Sequence, residues 1–297
     1  MKQSAFEWPA GKSAAAIITV DMDAESGVLY THPETASQLD VMVHQSYDVR
    51  TGIYRLLRTF AERSIRVTAF VPGFAIDRWP DVVRDIVSEG HELGHHGYLH
   101  EYLAGIDRDT EEGILLRGMD SIARITGKPP LGYRAPGFKI NRCTPELLAK
   151  HGFLYDSSLQ DFDIPYSLAT APESTAPAII ELPVQWMLDD FAYYVHLPRI
   201  RPGLGIESST KVFEIWKAEL DALVSEGGCF NLTLHPFLSG RASRSRMVDD
   251  MIQYMQSIDE LWIAPAVEIA KHAQSVKTAR IWNSPIDPAD LALARPA

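Results

Sequence analysis

The chain has 297 residues, 46% hydrophobic and 23% charged, with a formal net charge of −11. That length and composition suit one globular domain with a sizeable core. The acidic balance excludes nucleic acid as the main partner, because no basic stripe is present to neutralise phosphates.

The N-terminal stretch shows no charged region followed by a long apolar run and a cleavage site, so no signal peptide is read, and AAAIITV is too short to cross a bilayer. A cytoplasmic enzyme with no membrane partner is the expectation. The two cysteines, Cys143 and Cys229, are expected as buried free thiols rather than a disulfide framework.

Taken in order, residues 14–20 form an apolar run that stops at Asp21-Met22-Asp23-Ala24-Glu25, which reads as a buried strand delivering acidic side chains at its end. Alternation along a strand turns Asp21 and Asp23 the same way. Residues 27–48 have turn residues and no clear period, and read as a long loop. Residues 51–63 carry Ile53, Leu56, Leu57 and Phe60 at helical spacing. A strand over 65–71 stops at Pro72-Gly73, a helix covers 81–88, and 110–126 is a second amphipathic helix ended by Gly127. A short strand over 130–133 leads to Arg134, a helix opens at Thr144-Pro145, and a strand over 153–155 leads to Asp156. After a loop over 158–177 come a strand over 178–182, a helix over 210–225, a strand over 229–234 ending in His235-Pro236, a helix over 247–258 and a last strand over 261–263. The tail from Lys277 is not assigned to the core.

Strand and helix alternate without an internal repeat, which is the pattern of a parallel sheet, and the number of units suggests a barrel. Active sites in such barrels form at the C-terminal ends of the strands. Asp21, Asp23, Arg134, Asp156, Trp186 and His235 all follow predicted strands.

The segment 90–101, GHELGHHGYLHE, packs His91, His95, His96 and His100 into ten residues. His96 and His100 stand four apart, and on a helical turn that spacing puts two imidazoles on one face, within reach of one metal ion. A polar loop with scattered histidines fits the same spacing. Asp23, His96 and His100 together would leave a position for water, as catalytic zinc sites do. Asp21 could then act as base, His235 could protonate a leaving nitrogen, and Arg134 could pair with Asp21 to hold it ionised. An ordinary rim salt bridge and a hydrogen-bonded rim histidine are the plainer readings of the last two. Phe138 and Trp186 could be pocket walls or simply core. Glu25, His91, His95, Asp156 and Asp190 stand near the site without a firm role. Two histidines and a carboxylate also describe non-haem iron oxygenases, but those need no second carboxylate and no general acid, so Asp21 and His235 favour hydrolysis.

TVDMDAE, HGYLH, RAPGF, ELPVQWMLDD and LTLHP together resemble the polysaccharide deacetylase (NodB-homology) superfamily, in its branch of peptidoglycan-deacetylase-like proteins and metal-free allantoinases. The resemblance implies an α/β fold, a distorted (β/α) barrel of seven or eight strands, here a single domain over residues 1–276 followed by a tail over 277–297. It implies Asp23, His96 and His100 as ligands of a divalent metal, zinc first, Asp21 as catalytic base, Arg134 as the residue orienting it, and His235 as general acid. Phe138 and Trp186 would line the substrate groove, and Leu232 would belong to the pocket that receives the acyl methyl group. The activity implied is hydrolysis of a non-peptide amide, first an N-acetylated amino sugar or its oligomer. The alternative is ring opening of a small cyclic amide of the imide or allantoin type. A homo-oligomer is implied too. Met22 between the two aspartates and Gly97 after the first histidine are features of the branch. A barrel that has lost catalysis and only binds is the reading of a different class.

Overall fold

All eight residues of β1 (Ala14–Asp21) are buried, so this strand needs cover on both faces, as the strands of parallel barrels do. The structure, a computed structural model, describes residues 6–169, 178–196, 206–276 and 278–281. The further strands are β2 (Thr68–Val71), β3 (Glu92–His95), β4 (Gly132–Tyr133), β5 (Tyr155–Asp156), β6 (Tyr166–Leu168), β7 (Ile179–Glu181), β8 (Cys229–Leu234), β9 (Leu261–Ile263) and β10 (Arg280–Ile281). The helices are α1 (Ser26–Thr31), α2 (Leu39–Gln45), α3 (Ile53–Glu62), α4 (Gly73–Arg78), α5 (Pro80–Ser88), α6 (Arg108–Thr126), α7 (Thr144–Lys150), α8 (Phe191–Tyr194), α9 (Ser209–Glu226), α10 (Pro236–Ser239), α11 (Ala242–Gln256) and α12 (Ala266–Ser275).

The sheet runs β10-β6-β7-β5-β4-β3-β2-β1-β8, with β9 paired to the start of β1. Only the β6–β7 pair is antiparallel among the strand pairs. The sheet curls until the chain after β7 reaches β8. A parallel bridge joins Asp189 to Thr233, the Asp190 N–H donates to the Thr233 carbonyl at 3.1 Å, and the Asn231 amide donates to the carbonyls of Leu182 and Pro183 at 3.2 and 3.0 Å. Seven parallel strands thus make a distorted barrel whose last seam is held by one bridge and one side chain.

Period-two alternation sorts β1 between two cores. Ala15 and Ile17 face inward with Phe70, Tyr155, Ile180 and Leu182. Ala14, Ala16, Ile18 and Val20 face outward to α3, α9 and α11, among Leu56, Phe60, Trp216, Leu220, Met251 and Ile252. Each such side chain taken fully from water contributes about 1.5–3 kcal/mol. Helix α12 closes the N-terminal mouth, with Ile269, Ala270 and Ala273 in the inner cluster. The C-terminal mouth is left for polar groups. Among the described residues no helix is long and apolar enough to cross a membrane.

Several elements differ from expectation. The predicted loop over 27–48 contains α1, a 3-10 turn at Pro33–Ser37 and α2, and runs into a π turn at Asp48–Gly52. These pieces are short, and they leave Leu39 and Val43 exposed, so no apolar stripe of helical period reaches the sequence. The loop predicted over 158–177 contains β6, and its residues 170–177 lie outside the described residues. β10 carries the chain past the predicted boundary at 276 and pairs with β6. Residues 277 and 282–297 of the predicted tail lie outside the described residues.

Candidate active site

Asp21 is the last residue of β1, turned into the barrel mouth, and Arg134 follows β4 directly beneath it. Arg134 is fully buried and spends its guanidinium on six bonds. Nη1 donates to Asp21 Oδ1 at 2.8 Å, to Thr19 Oγ1 at 2.6 Å and to Thr233 Oγ1 at 3.1 Å. Nη2 donates to Ser157 Oγ at 3.0 Å and to Asn231 Oδ1 at 3.4 Å, and Nε to the Ser157 carbonyl at 3.1 Å. The ring of Phe70 lies 4.4 Å below the guanidinium carbon. A buried charge so fully partnered is fixed in place, and removing one partner leaves the other uncompensated.

Asp23 sits one step further out. Met22, between the two aspartates, is buried in the outer core, which is why both carboxyls face the mouth. Asp23 Oδ1 lies 3.6 Å from His96 Nε2 and Asp23 Oδ2 3.4 Å from His100 Nε2. His96 Nδ1 is 2.7 Å from the Arg134 carbonyl. A carbonyl only accepts, so Nδ1 carries the proton and Nε2 presents a lone pair. Burial, with a small further push from His100, drops the His96 pKa to about 3, so the ring stays neutral. Asp23 Oδ1, His96 Nε2 and His100 Nδ1 are buried and no donor or acceptor reaches them. One carboxylate and two imidazoles whose ligating atoms lie within 4.8 Å of one another, with Asp23 Oδ1 and His96 Nε2 orphaned on the side where His100 presents Nε2 rather than its orphaned Nδ1, fit a divalent cation.

The helical turn expected at 96–100 is absent. The segment after β3 is a loop in which Gly97 has φ +71° and His100 itself φ +64°. This reversal, not an i, i+4 face, brings the two rings to a centroid distance of 5.0 Å. Ala24 and Phe138 also have positive φ. Non-glycine residues in that region cost about 1–3 kcal/mol each and persist where the surroundings over-determine them.

His235 directly follows β8 on the opposite side. Its Nδ1 lies 2.7 Å from Asp190 Oδ1, its backbone N–H donates to Asp190 Oδ2 at 2.9 Å, and its Nε2 faces Asp23 Oδ2 at 3.8 Å. Burial works against the charged ring, but the Asp190 and Asp189 carboxyls outweigh it, and the His235 pKa rises well above the ordinary value. Asp189, also buried, is pushed up to about 7, chiefly by desolvation. Asp189, Asp190 and His235 form a second acidic cluster, but its closest atoms already bond one another.

These groups line a cavity of about 270 Å³ with Tyr102, Phe138, Lys139, Trp186 and Phe191. The Phe138 and Trp186 rings stand 4.9 Å apart, and Trp186 is 48% exposed at the rim. A second cavity of about 190 Å³, walled by Val28, Thr31, His32, Gln45 and Phe237, shares Asp23, His100, Tyr102 and Phe191 with it. Leu232 does not line either cavity. It is register partner to Ile18 and lies in the outer core, because strand alternation turns residues 231, 233 and 235 inward and 232 away. The expected acyl-pocket leucine is therefore a core residue.

Asp48 was invisible in the sequence as a site residue. Its Oδ2 accepts from the Ala24 N–H at 2.7 Å and its Oδ1 from the Phe237 N–H at 2.9 Å, which ties the loop after Asp23 to the loop after His235. Gly52, one turn on, lets these loops meet: a Cβ there would lie 2.1 Å from the Pro236 carbonyl oxygen. An acid opening a helix reads as a dipole partner, and no spacing rule shows that it reaches two distant loops. Glu25 instead anchors the second turn of the fold, accepting from Trp79 Nε1 at 2.9 Å and facing Arg78.

A curled parallel barrel with carboxylates and histidines gathered at its C-terminal mouth defines a class of hydrolase. The profile described as polysaccharide deacetylase matches residues 40–155. A Helicobacter pylori protein named peptidoglycan deacetylase is 32% identical over 259 residues, covering 80% of this chain and 88% of that one. Among solved structures, a Mycobacterium smegmatis protein assigned as a polysaccharide deacetylase is 42% identical, with a TM-score of 0.92 over 96% of this chain and 98% of that one. PuuE allantoinase is 25% identical, with a TM-score of 0.77 over 91% and 93%. The chain belongs to the polysaccharide deacetylase family.

Proposed function

We propose that this chain is a metal-dependent hydrolase of non-peptide amide C–N bonds, and that its first substrate class is an N-acetylated amino sugar. The observation that carries the reading is the orphaned face of Asp23 and His96, set between an Asp21–Arg134 pair on one side and an Asp190–His235 pair on the other. Asp23, His96 and His100 would hold the cation, zinc first. Such a cation supplies a polarised carbonyl and a water of lowered pKa.

The chain's own residues carry the protons. Arg134 donates to Asp21 and holds its carboxyl turned toward the mouth, so Asp21 can take a proton from the attacking water. Asp190 accepts from His235 Nδ1 and holds the ring charged, leaving Nε2–H to donate to the departing nitrogen. Water adds to the carbonyl carbon, the C–N bond breaks, the nitrogen leaves with the His235 proton, and a carboxylic acid remains. Phe138, Trp186, Tyr102 and Phe191 wall the cavity and present aromatic faces to a sugar ring or a flat heterocycle.

A second reading is favoured by α1 and α2, which wall the adjoining cavity on the side where a polymer groove would need to stay open, and by the likeness to an allantoinase. Here the substrate is a small cyclic amide. The test is hydrolysis by zinc-loaded protein of an N-acetylglucosamine oligomer, read as acetate release, beside succinimide, read as ring opening. Acetate release is the expected result, ring opening alone would replace the first reading with the second, and neither would overturn the hydrolase assignment.

A further inference from the structure

Two acids that this reading leaves without a task lie side by side at the ends of β5 and β7. Asp156 and Glu181 are register partners on those strands, both fully buried, and each carboxyl acts on the other's protonation. One oxygen of each is saturated by the turn that follows β5. Asp156 Oδ1 accepts from the Ser157 N–H at 2.8 Å and the Ser158 hydroxyl at 2.6 Å. Glu181 Oε1 accepts from the N–H groups of Ser158 and Leu159 at 3.0 and 2.9 Å. The other two oxygens, Asp156 Oδ2 and Glu181 Oε2, are buried and no donor reaches them. Two ionised carboxylates so placed repel in a dry site, and one proton between them turns that contact into a hydrogen bond.

Several titratable groups among the described residues surround the pair. Tyr133 on β4, Tyr166 on β6 and Asp161, which accepts from the Tyr166 hydroxyl at 2.8 Å, are the titratable neighbours. Helices α7 and α12, which also pack on β7, meet it with apolar residues: Leu147 and Leu148 cluster with Ile179, and Ile269 and Ala270 with Ile180. Arg134 is a positive charge that acts on Asp156. Burial raises Asp156 to about 6 and Glu181 well above the usual carboxylate range.

The turn that the pair saturates is the one that holds Arg134. Ser157 accepts from Nε and Nη2 of its guanidinium, and the Ser158 hydroxyl accepts from the Ala135 N–H at 2.9 Å. The Arg134 carbonyl in turn accepts from His96 Nδ1. We propose that Asp156 and Glu181, sharing one proton, are positioning residues that fix the 157–159 turn and, through Arg134, set Asp21 and His96. The proposal rests on the roles given above to those two residues.

The pair should be visible as a pH dependence. The native pair holds a proton that the unfolded chain releases near about pH 4. Its contribution to stability is therefore fully present below that pH and is lost as pH rises toward the raised native value. In Glu181→Gln the side-chain carbonyl can keep both turn bonds while the amide donates to Asp156, so the variant imitates the protonated form and cannot titrate.

The experiment has two readouts. The first is the thermal midpoint of the metal-free protein as a function of pH, which needs no substrate. Glu181→Gln should show a flatter fall with rising pH than wild type. The second is turnover of whichever substrate the zinc-loaded protein hydrolyses. Glu181→Gln should keep kcat and KM within about threefold, whereas Glu181→Ala should lose about tenfold or more in kcat with KM little changed. An unchanged pH slope in Glu181→Gln, or a loss of kcat in Gln as large as in Ala, would overturn the proposal. If the Ala variant does not fold, or neither substrate is hydrolysed, the pH slope of the Gln variant decides alone, so failure here is distinct from failure of the functional reading.

Discussion

At the N-terminal end of the strands, Glu92 opens β3 with every acceptor used. The Tyr155 hydroxyl donates to Oε1 at 2.8 Å, and the Thr68 hydroxyl and the Val267 N–H donate to Oε2 at 2.6 and 3.0 Å. At the C-terminal end, Asp23 and His96 present atoms that nothing in the chain satisfies. An unpaired buried polar group costs about 1–3 kcal/mol. Glu92 is satisfied on both oxygens while the facing atoms of Asp23 and His96 are left open, and such an open pair of ligand-type atoms holds a place for something outside the chain. A buried acid with both oxygens saturated marks structure, and orphaned atoms of ligand-type side chains facing one another across a cavity mark a binding site.

That contrast can be broken in several ways, the largest effect first. Arg134→Met would remove the partner of Asp21 at the mouth and leave its carboxylate buried without a counter-charge. The expected loss is about 3–5 kcal/mol of stability, read by denaturant unfolding, together with loss of turnover. Stability within 1 kcal/mol of wild type, roughly the worth of an exposed ion pair, would show that the pair is not the buried anchor described here.

Asp190→Asn is milder for the fold and sharper for the chemistry. The Asp190 carboxyl helps hold His235 protonated against the cost of burial, and an acid must keep its proton to donate it. Activity that needs protonated His235 persists below its raised pKa and is lost as pH rises through it. With the carboxylate gone, the alkaline limb of kcat should move to lower pH, by about one unit for each roughly 1.4 kcal/mol of lost interaction. A pH–rate profile with an unmoved alkaline limb would remove His235 as the acid.

Glu92→Gln is the smallest change and the control at the satisfied end. The Val267 N–H can only donate, so the amide oxygen keeps that side, and the NH₂ meets the Tyr155 hydroxyl, which must give up its own donated bond to accept. A loss of about 1–3 kcal/mol is expected with kcat and zinc content unchanged, and a fall in zinc content would mean that the two ends are not independent.

The sequence made the strand ends legible because a buried strand of a parallel barrel reads as an apolar run and its end as an abrupt change to polar residues. Asp21, Asp23, Arg134 and His235 stand at such changes, and all four come together at one mouth. Trp186 and Phe138, which the sequence leaves open between wall and core, line the cavity, but Leu232 does not, since the period-two alternation of β8 turns it to the outer core. What stayed hidden depends on contacts distant in sequence. Asp48 joins two loops that only the closed barrel makes neighbours, and Asp156 and Glu181 meet only because β5 and β7 are register partners. Helix α12 was missed because its packed face is built mainly from alanine, with Ala266, Ala270 and Ala273 around Ile269, and offers little contrast to a periodicity reading. The His96–His100 pair was found by the right spacing for the wrong reason, since a left-handed turn does what a helix was expected to do.

The most direct measurement is zinc content after equilibrium dialysis of wild type, His96→Ala and Glu92→Gln, each confirmed as folded by its melting transition. About one zinc per chain should be retained by wild type and Glu92→Gln and well under that by His96→Ala, as a three-ligand site requires. Full zinc retention by folded His96→Ala would contradict the assignment of the open end as the metal site.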